Sequence, residues 1–139
     1  MIRKMMFSLV ILVIALIVVT LLALESGGVV TVYTPKADGG THRATRIWFA
    51  TESGRLYLEA GSPENPWVKD LDSTTSLKIE GQDLDGWYVF RLDSSARGHQ
   101  VIRTMMRSRY GWRDWWIGVI FDTSESQLIE LEPKIAPRD

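Results

Sequence analysis

The sequence predicts an N-terminal transmembrane helix followed by a mainly β domain, a small barrel of about six strands with one main helix. Three observations predict this class: residues 5–24 carry no charged side chain, short alternating segments bounded by Gly and Pro follow, and a single helical stripe comes late in the chain. A sheet of about six strands with one helix must curl or close to protect its edges, which favours a barrel.

The composition excludes several classes of protein. The 139 residues are enough for about one domain. Arg3 and Lys4 are the charged residues of positions 1–24, and the rest of the chain holds all 17 acidic side chains and the other 14 of the 16 basic ones, a net charge of −3. This mildly acidic body argues against nucleic acid as a partner. The absence of cysteine excludes disulfides, thiol nucleophiles and Cys-ligated metals.

The uncharged segment is long enough to cross a bilayer. A helix over residues 5–24 spans about 30 Å, the thickness of the hydrocarbon core. A cleaved signal peptide is the alternative, but its apolar part is usually about 7–15 residues long. Ala23-Leu24-Glu25 is also a poor cleavage site. We therefore expect an uncleaved anchor over residues 1–25.

Basic residues orient such an anchor. Arg3 and Lys4 lie directly before the span, whereas the first basic residue after it is Lys36. This bias predicts a single-pass protein of the cytoplasmic membrane, in contact with the lipid bilayer, with its C-terminal domain on the outer face. Residues 26–40 are expected to hold a linker and the first strand, and residues 41–139 the barrel domain.

The strands are predicted from alternating apolar and polar residues and from turn signals. Glu52-Ser53-Gly54 and Asp85-Gly86 are hairpin signals. Six strands follow from these patterns, at residues 29–33, 43–51, 55–60, 76–80, 87–92 and 127–131.

The helices are predicted from caps and from helical spacing. Residues 93–95 are good N-cap candidates, an apolar stripe follows over 101–106, and Gly111 ends this main helix. Pro66 suits the first turn of a short helix over 67–71. Residues 112–121 fit either a short helix or a buried turn and strand.

One predicted strand carries side chains suited to an anion. Arg43 and Thr45 point to one face of it, and Arg46 points to the other. An Arg and a Thr two residues apart can both reach the oxygens of a phosphate or carboxylate. The alternative is an exposed strand face with salt bridges to nearby acids, which the residues alone favour.

The break after the next strand offers a second candidate element. Lys69, together with Gly61 and Ser62, could complete an anion pocket. The alternative, which the residues alone favour, is a surface lysine beside Asp70 and Asp72.

Two further groups of residues allow alternative interpretations. Arg103 and Arg107 lie one helical turn apart and suit either an anionic lipid or phosphate, or a solvated face. Three tryptophans at 112, 115 and 116 suit either the bilayer interface or a planar ring, or else core packing. In both cases the residues alone favour the structural interpretation.

The order of these motifs resembles that of the split β-barrel oxidoreductases, which have the pyridoxamine-phosphate-oxidase-like fold, and especially their nitroreductase-like deazaflavin-dependent branch. The resemblance covers about residues 41–132 and depends on the order and spacing of short motifs. The matching segments are RATRIWF at 43–49, SGRLYL at 53–58, GS at 61–62, WVKDL at 67–71 and RYGW at 109–112.

The resemblance implies a split β-barrel, commonly a homodimer, that binds FMN or a deazaflavin coenzyme in a groove beside the barrel. Carried over by position, six residues would hold the cofactor: Arg43, Thr45 and Arg46 on the strand, and Gly61, Ser62 and Lys69 in the loop and helix start. The family's usual Asn after the tryptophan is Asp70 here. A carboxylate near a phosphate is unfavourable unless it is paired.

The resemblance and the anchor together predict a membrane-anchored flavin- or deazaflavin-dependent oxidoreductase. It would transfer hydride to a small or membrane-soluble acceptor, such as a quinone. The cofactor would supply the hydride chemistry, so no acid–base dyad is needed. The alternatives are a non-catalytic split-barrel module that binds a lipid, haem or a partner protein at the membrane, and a structural subunit of a membrane complex.

Overall fold

The computed structural model describes residues 2–36 and 39–134, so residues 1, 37–38 and 135–139 of the predicted domains lie outside it. The helices are α1 (Ile2–Glu25), α2 (Pro66–Lys69), α3 (Ala96–Tyr110) and α4 (Trp112–Ile120). A 3₁₀ turn, Asp70–Ser73, continues α2. The strands are β1 (Val30–Pro35), β2 (His42–Ile47), β3 (Phe49–Glu52), β4 (Arg55–Ala60), β5 (Ser76–Glu80), β6 (Gly86–Asp93) and β7 (Gln127–Pro133).

The seven strands form one antiparallel sheet in the order β2-β1-β5-β6-β7-β4-β3. Its two edge strands, β2 and β3, are consecutive in the chain and separated by Trp48 alone. The chain therefore crosses from one edge of the sheet to the other at this residue, which curls the sheet into a barrel. The backbone N–H of Glu59 donates to the carbonyl of Trp48 at 3.3 Å and fastens the crossing to β4.

The mainly β domain, the curled barrel and the N-terminal apolar helix agree with the sequence prediction. The strand count differs by one, because the single strand predicted over 43–51 is divided at Trp48 into β2 and β3. β1, which we assigned with the linker to residues 26–40, lies between β2 and β5 in the same sheet. The first hairpin has the turn its sequence indicates: Ser53 and Gly54 have φ of 51° and 78°, suited to a tight hairpin.

The core has two layers. The barrel interior is filled by aliphatic side chains from β1, β4, β5 and β7, and Trp67, Val68 and Leu71 cover one part of it. The second layer lies between the outside of the barrel and α3, where Trp48 packs with Met106 and Tyr110. Since both faces of the sheet are covered beside Trp48, residues 47–50 are all buried.

The two elements at the edge of the domain are helices. α1 is exposed over most of its length, with Ala23 buried and Val19, Thr20 and Leu24 half-buried, and by length and composition it could span a membrane. Residues 112–121, which the sequence left open, form α4 followed by Phe121. α4 packs against the last part of α1 and against α3.

Candidate functional site

A cleft of about 430 Å³ opens between the edge strand β2 and the end of β4, beside Trp48. Its walls come from β2, the end of β4, the start of α2, the end of α1 and the middle of α4. The lining residues are Leu24, Arg43, Thr45, Arg46, Ile47, Trp48, Glu59, Gly61, Asn65, Pro66, Trp67 and Ile117. This volume is within the usual range of small-molecule sites, about 300–1,000 Å³.

Arg43 lies on the cleft with a carboxylate held behind it. Its Nε donates to Oδ2 of Asp70 at 2.7 Å, and the hydroxyl of Thr34 donates to the same oxygen at 3.1 Å. Asp70 is only 3% exposed, and these two contacts compensate its charge inside the protein. The Arg43 side chain is about one-third exposed and keeps further N–H groups for a ligand.

Thr45 and Arg46 reach the cleft from opposite faces of β2. Thr45 shares the face of Arg43, as strand alternation predicts. Arg46 lies on the other face and forms an ion pair with Glu25 at the end of α1. Arg46 is therefore both a cleft residue and a link between the barrel and the N-terminal helix.

The second group of predicted residues is divided by the structure. Gly61 lines the cleft, whereas Ser62 and Lys69 are not among the lining residues. The Ser62 hydroxyl donates to Glu125 at 3.3 Å. Lys69 forms an exposed ion pair with Glu64 at 2.6 Å. Nothing in these contacts directs Ser62 or Lys69 towards an anion in the cleft.

A buried ion network lies behind the cleft. Arg103 of α3 donates to Glu59 of β4 at 2.6 Å and to Asp114 of α4 at 2.5 Å. Burial opposes the charge of Arg103, but Glu59 and Asp114 outweigh it and hold the pKa of this guanidinium above its ordinary value. The interpretation of Arg103 as a solvated or ligand-facing residue is therefore wrong, because it joins three elements inside the domain.

The end of α1 is fixed to the domain by residues that the sequence analysis did not single out for this purpose. The indole N–H of Trp48 donates to the carbonyl of Leu24 at 3.0 Å, and its ring stacks on Tyr110 with centroids 4.1 Å apart. The Tyr110 hydroxyl donates to the carbonyl of Gly28 and accepts from the N–H of Phe49. Burial, above all, raises the pKa of Tyr110. The RYGW motif at 109–112 was the available signal for this contact.

The charges of the cleft are largely compensated. Arg43 faces Asp70, Arg46 faces Glu25, and Glu59 faces Arg103. The remaining walls are mainly apolar. The cleft therefore suits a ligand with a flat or apolar body and an anionic group that competes with Asp70 for Arg43, more than a small multivalent anion.

The donor set also restricts metal chemistry. Haem iron is held in proteins by His, Met, Cys or Tyr, and the described residues that line the cleft include none of these. Across residues 2–36 and 39–134 there is also no group of three or more His, Asp or Glu side chains placed to bind a metal ion.

Comparisons with known proteins give the fold. No family model matches the sequence, and no curated protein sequence matches it. Among solved structures, a conserved hypothetical protein from Mycobacterium tuberculosis is 14% identical, with TM-score 0.54 over 84% of this chain and 79% of that one. The haem storage protein HutZ from Vibrio cholerae is 13% identical, with TM-score 0.52 over 82% and 87%.

A third structure identifies the type of barrel. A protein from Listeria innocua described as a putative pyridoxamine 5′-phosphate oxidase is 15% identical, with TM-score 0.51 over 83% of this chain and 90% of that one. At these identities the likeness shows the fold alone. The sheet order, the crossing at Trp48 and these neighbours agree, and the chain therefore has the split-barrel fold of the pyridoxamine 5′-phosphate oxidase-like proteins.

Proposed function

We propose that the cleft binds a flavin-type cofactor, FMN or a deazaflavin coenzyme, and that the protein is a membrane-anchored oxidoreductase. The observation that carries this proposal is the position of Arg43 and Thr45 on one wall of a cleft whose other walls are mainly apolar and include Trp48 and Trp67. Such a site offers cationic and hydroxyl groups to a phosphate and apolar surface to a ring system.

The residues present fit this group. Arg43 and Thr45, which share one face of β2, would hold the phosphate, and Gly61 would let the chain approach it closely because it has no side chain. Arg46, on the other face and paired with Glu25, would border the site. When bound, the cofactor would supply hydride transfer, and the protein would orient it and shield it from water. Ser62 and Lys69 are not needed for this arrangement. Glu59 stays paired with Arg103 and so adds no free negative charge to the cleft.

The test is cofactor binding by the full chain, purified in detergent and titrated with FMN and with a deazaflavin coenzyme. We expect binding that Arg43→Lys weakens about tenfold or more, since a charge-assisted hydrogen bond contributes about 1.5–3 kcal/mol. Arg55→Lys is the matched control, because Arg55 pairs with Glu130 and does not line the cleft. No visible absorption and no thermal shift with either cofactor would overturn the proposal.

The second candidate function is a non-catalytic module that binds a lipid. It is favoured by the compensated charges of the cleft and by Leu24 and Ile117, which bring α1 and α4 to its wall. Native mass spectrometry of the purified chain distinguishes the two functions: a bound lipid without flavin supports this one. Haem is less suited to the cleft, for lack of an iron ligand among its described residues.

The membrane and oligomer assignments are part of the same proposal. α1 is proposed as a single-pass anchor in the cytoplasmic membrane, with the barrel on the outer face. A homodimer, which the resemblance implies, is tested by light scattering on the full chain in detergent.

A further inference from the structure

The exposed face of α4 is apolar, the reverse of an ordinary surface helix. At 100° per residue, Trp112, Trp115, Val119 and Ile120 share one side of α4, and all four are exposed; Trp115 is 67% and Val119 60% exposed. The opposite side carries Asp114, which is buried. The polar group therefore points into the protein and the large apolar groups point away from it.

α4 lies beside the end of α1. The indole N–H of Trp116 donates to the hydroxyl of Thr20 at 3.0 Å, and the guanidinium of Arg113 donates to the hydroxyl of Ser26 at 2.7 Å. Thr20 is about 7.5 Å from Glu25 along the axis of α1, at a rise of about 1.5 Å per residue. The apolar face of α4 is thus continuous with the apolar surface of α1 near its C-terminal end.

Cationic side chains border this apolar face. Arg113 lies over the ring of Trp112 at 5.3 Å, and the Arg107 side chain is 80% exposed on the neighbouring turn of α3. Tryptophans with adjacent arginines are typical of the zone between lipid headgroups and acyl chains. A helix that lies in this zone needs apolar groups on one side and polar or protein contacts on the other.

We propose that α4, together with Phe121, lies in the headgroup region of the bilayer as a second membrane contact beside α1. This inference depends on the anchoring part of the proposed function and not on the cofactor. The contact would fix the tilt of the barrel. Since Leu24 and Ile117 both line the cleft, the cleft would then lie beside the membrane surface, near an acceptor dissolved in the membrane.

Nitroxide labels on the full chain in liposomes containing anionic lipid test this placement. The chain contains no cysteine, so Val119→Cys gives a single label. Ala96→Cys, an exposed site at the other end of α3, is the matched control. We expect the label at 119 to collide several-fold more with oxygen and several-fold less with a water-soluble nickel chelate than the label at 96.

Two results would overturn the inference. One is equal exposure of both labels to the chelate. The other is spin–spin broadening at 119 that disappears on dilution with unlabelled protein, since it would place a second copy of the chain on this face. A label at Leu12→Cys reports separately on α1, so failure of the α4 contact is distinguished from failure of the anchor. Cofactor binding is followed independently by absorption.

Discussion

Asp70 controls how much of the charge on Arg43 is available to a ligand. The carboxylate is buried and accepts from both Arg43 and Thr34. An amide at this position would keep an acceptor oxygen but remove the negative charge, so the guanidinium would be freer to bind an anion.

We therefore expect Asp70→Asn to bind FMN or a deazaflavin more tightly while the free energy of unfolding falls by about 1–3 kcal/mol. Calorimetric titration measures the first and urea unfolding the second. Glu130→Gln is the control, because Glu130 is also buried and paired with arginines but lies outside the cleft. Equal or weaker cofactor binding by Asp70→Asn would contradict the role given to this carboxylate.

Glu130 also gives the molecule a pH dependence at the residue scale. Its hydrogen bond from Arg91, then that from Arg55, lowers its pKa below the ordinary 4.5, although burial acts in the opposite direction. A carboxyl whose pKa is lower in the folded state stabilises the protein above its unfolded pKa, and this stabilisation is lost as the pH falls through the folded value.

Unfolding by urea at a series of pH values should therefore show a loss of stability below about pH 4.5 that is smaller in Glu130→Gln. Glu52→Gln is the comparison, at an exposed position beside the Ser53-Gly54 turn. An unchanged pH profile in Glu130→Gln would show that the pairs with Arg55 and Arg91 contribute nothing measurable to folding.

At the scale of elements, the junction between α1 and the barrel depends on close packing at Gly27. A Cβ placed there would lie 2.4 Å from the Tyr110 ring, whereas one at Gly118 of α4 would meet nothing within 4 Å. Gly27→Ala should therefore lower the melting temperature. Gly118→Ala should leave the melting temperature unchanged or raise it, because alanine in a helix is favoured over glycine by up to about 1 kcal/mol. Circular dichroism of both variants measures this, and equal behaviour of the two would count against the tight junction.

Several elements were predictable because their local patterns agree with their surroundings. The hairpin at Ser53-Gly54, the cap at Ser95 and the stop at Gly111 all lie where their sequence signals put them. The break at Trp48 was not predictable from alternation, because the alternation continues through it: Ile47 and Phe49 belong to the barrel core, whereas Trp48 and Ala50 pack with residues of α3.

The candidate site was predictable where strand alternation decides it. Arg43 and Thr45 follow from the period of a strand, whereas the positions of Ser62 and Lys69 depend on loop partners, Glu125 and Glu64, that no local pattern reveals. The secondary structure of α4 was ambiguous in the sequence because several of its large apolar side chains are exposed, whereas such side chains are usually buried.

At the scale of the whole molecule, the sidedness of the domain decides which cofactors can reach it. We expect Thr75→Cys, in a chain that has no other cysteine, to react in intact cells with a maleimide that cannot cross membranes. Reaction only after lysis would place the barrel in the cytoplasm and reverse the predicted orientation. A cysteine at Ile2, the first residue of α1, is the control and should react only after lysis.

The position of β7 in the sheet also sets an order of events during synthesis. β7 is made after every other strand but lies between β6 and β4, and it joins the two halves of the barrel. While translation proceeds, β1–β2 with β5–β6 and the β3–β4 hairpin can form, yet the two halves of the sheet are not joined until residues 127–133 emerge. If α1 is already inserted, the nascent domain waits at the membrane with exposed strand edges, a state in which aggregation competes with folding. Early insertion would separate such nascent chains from one another, so the anchor would also serve as a folding aid.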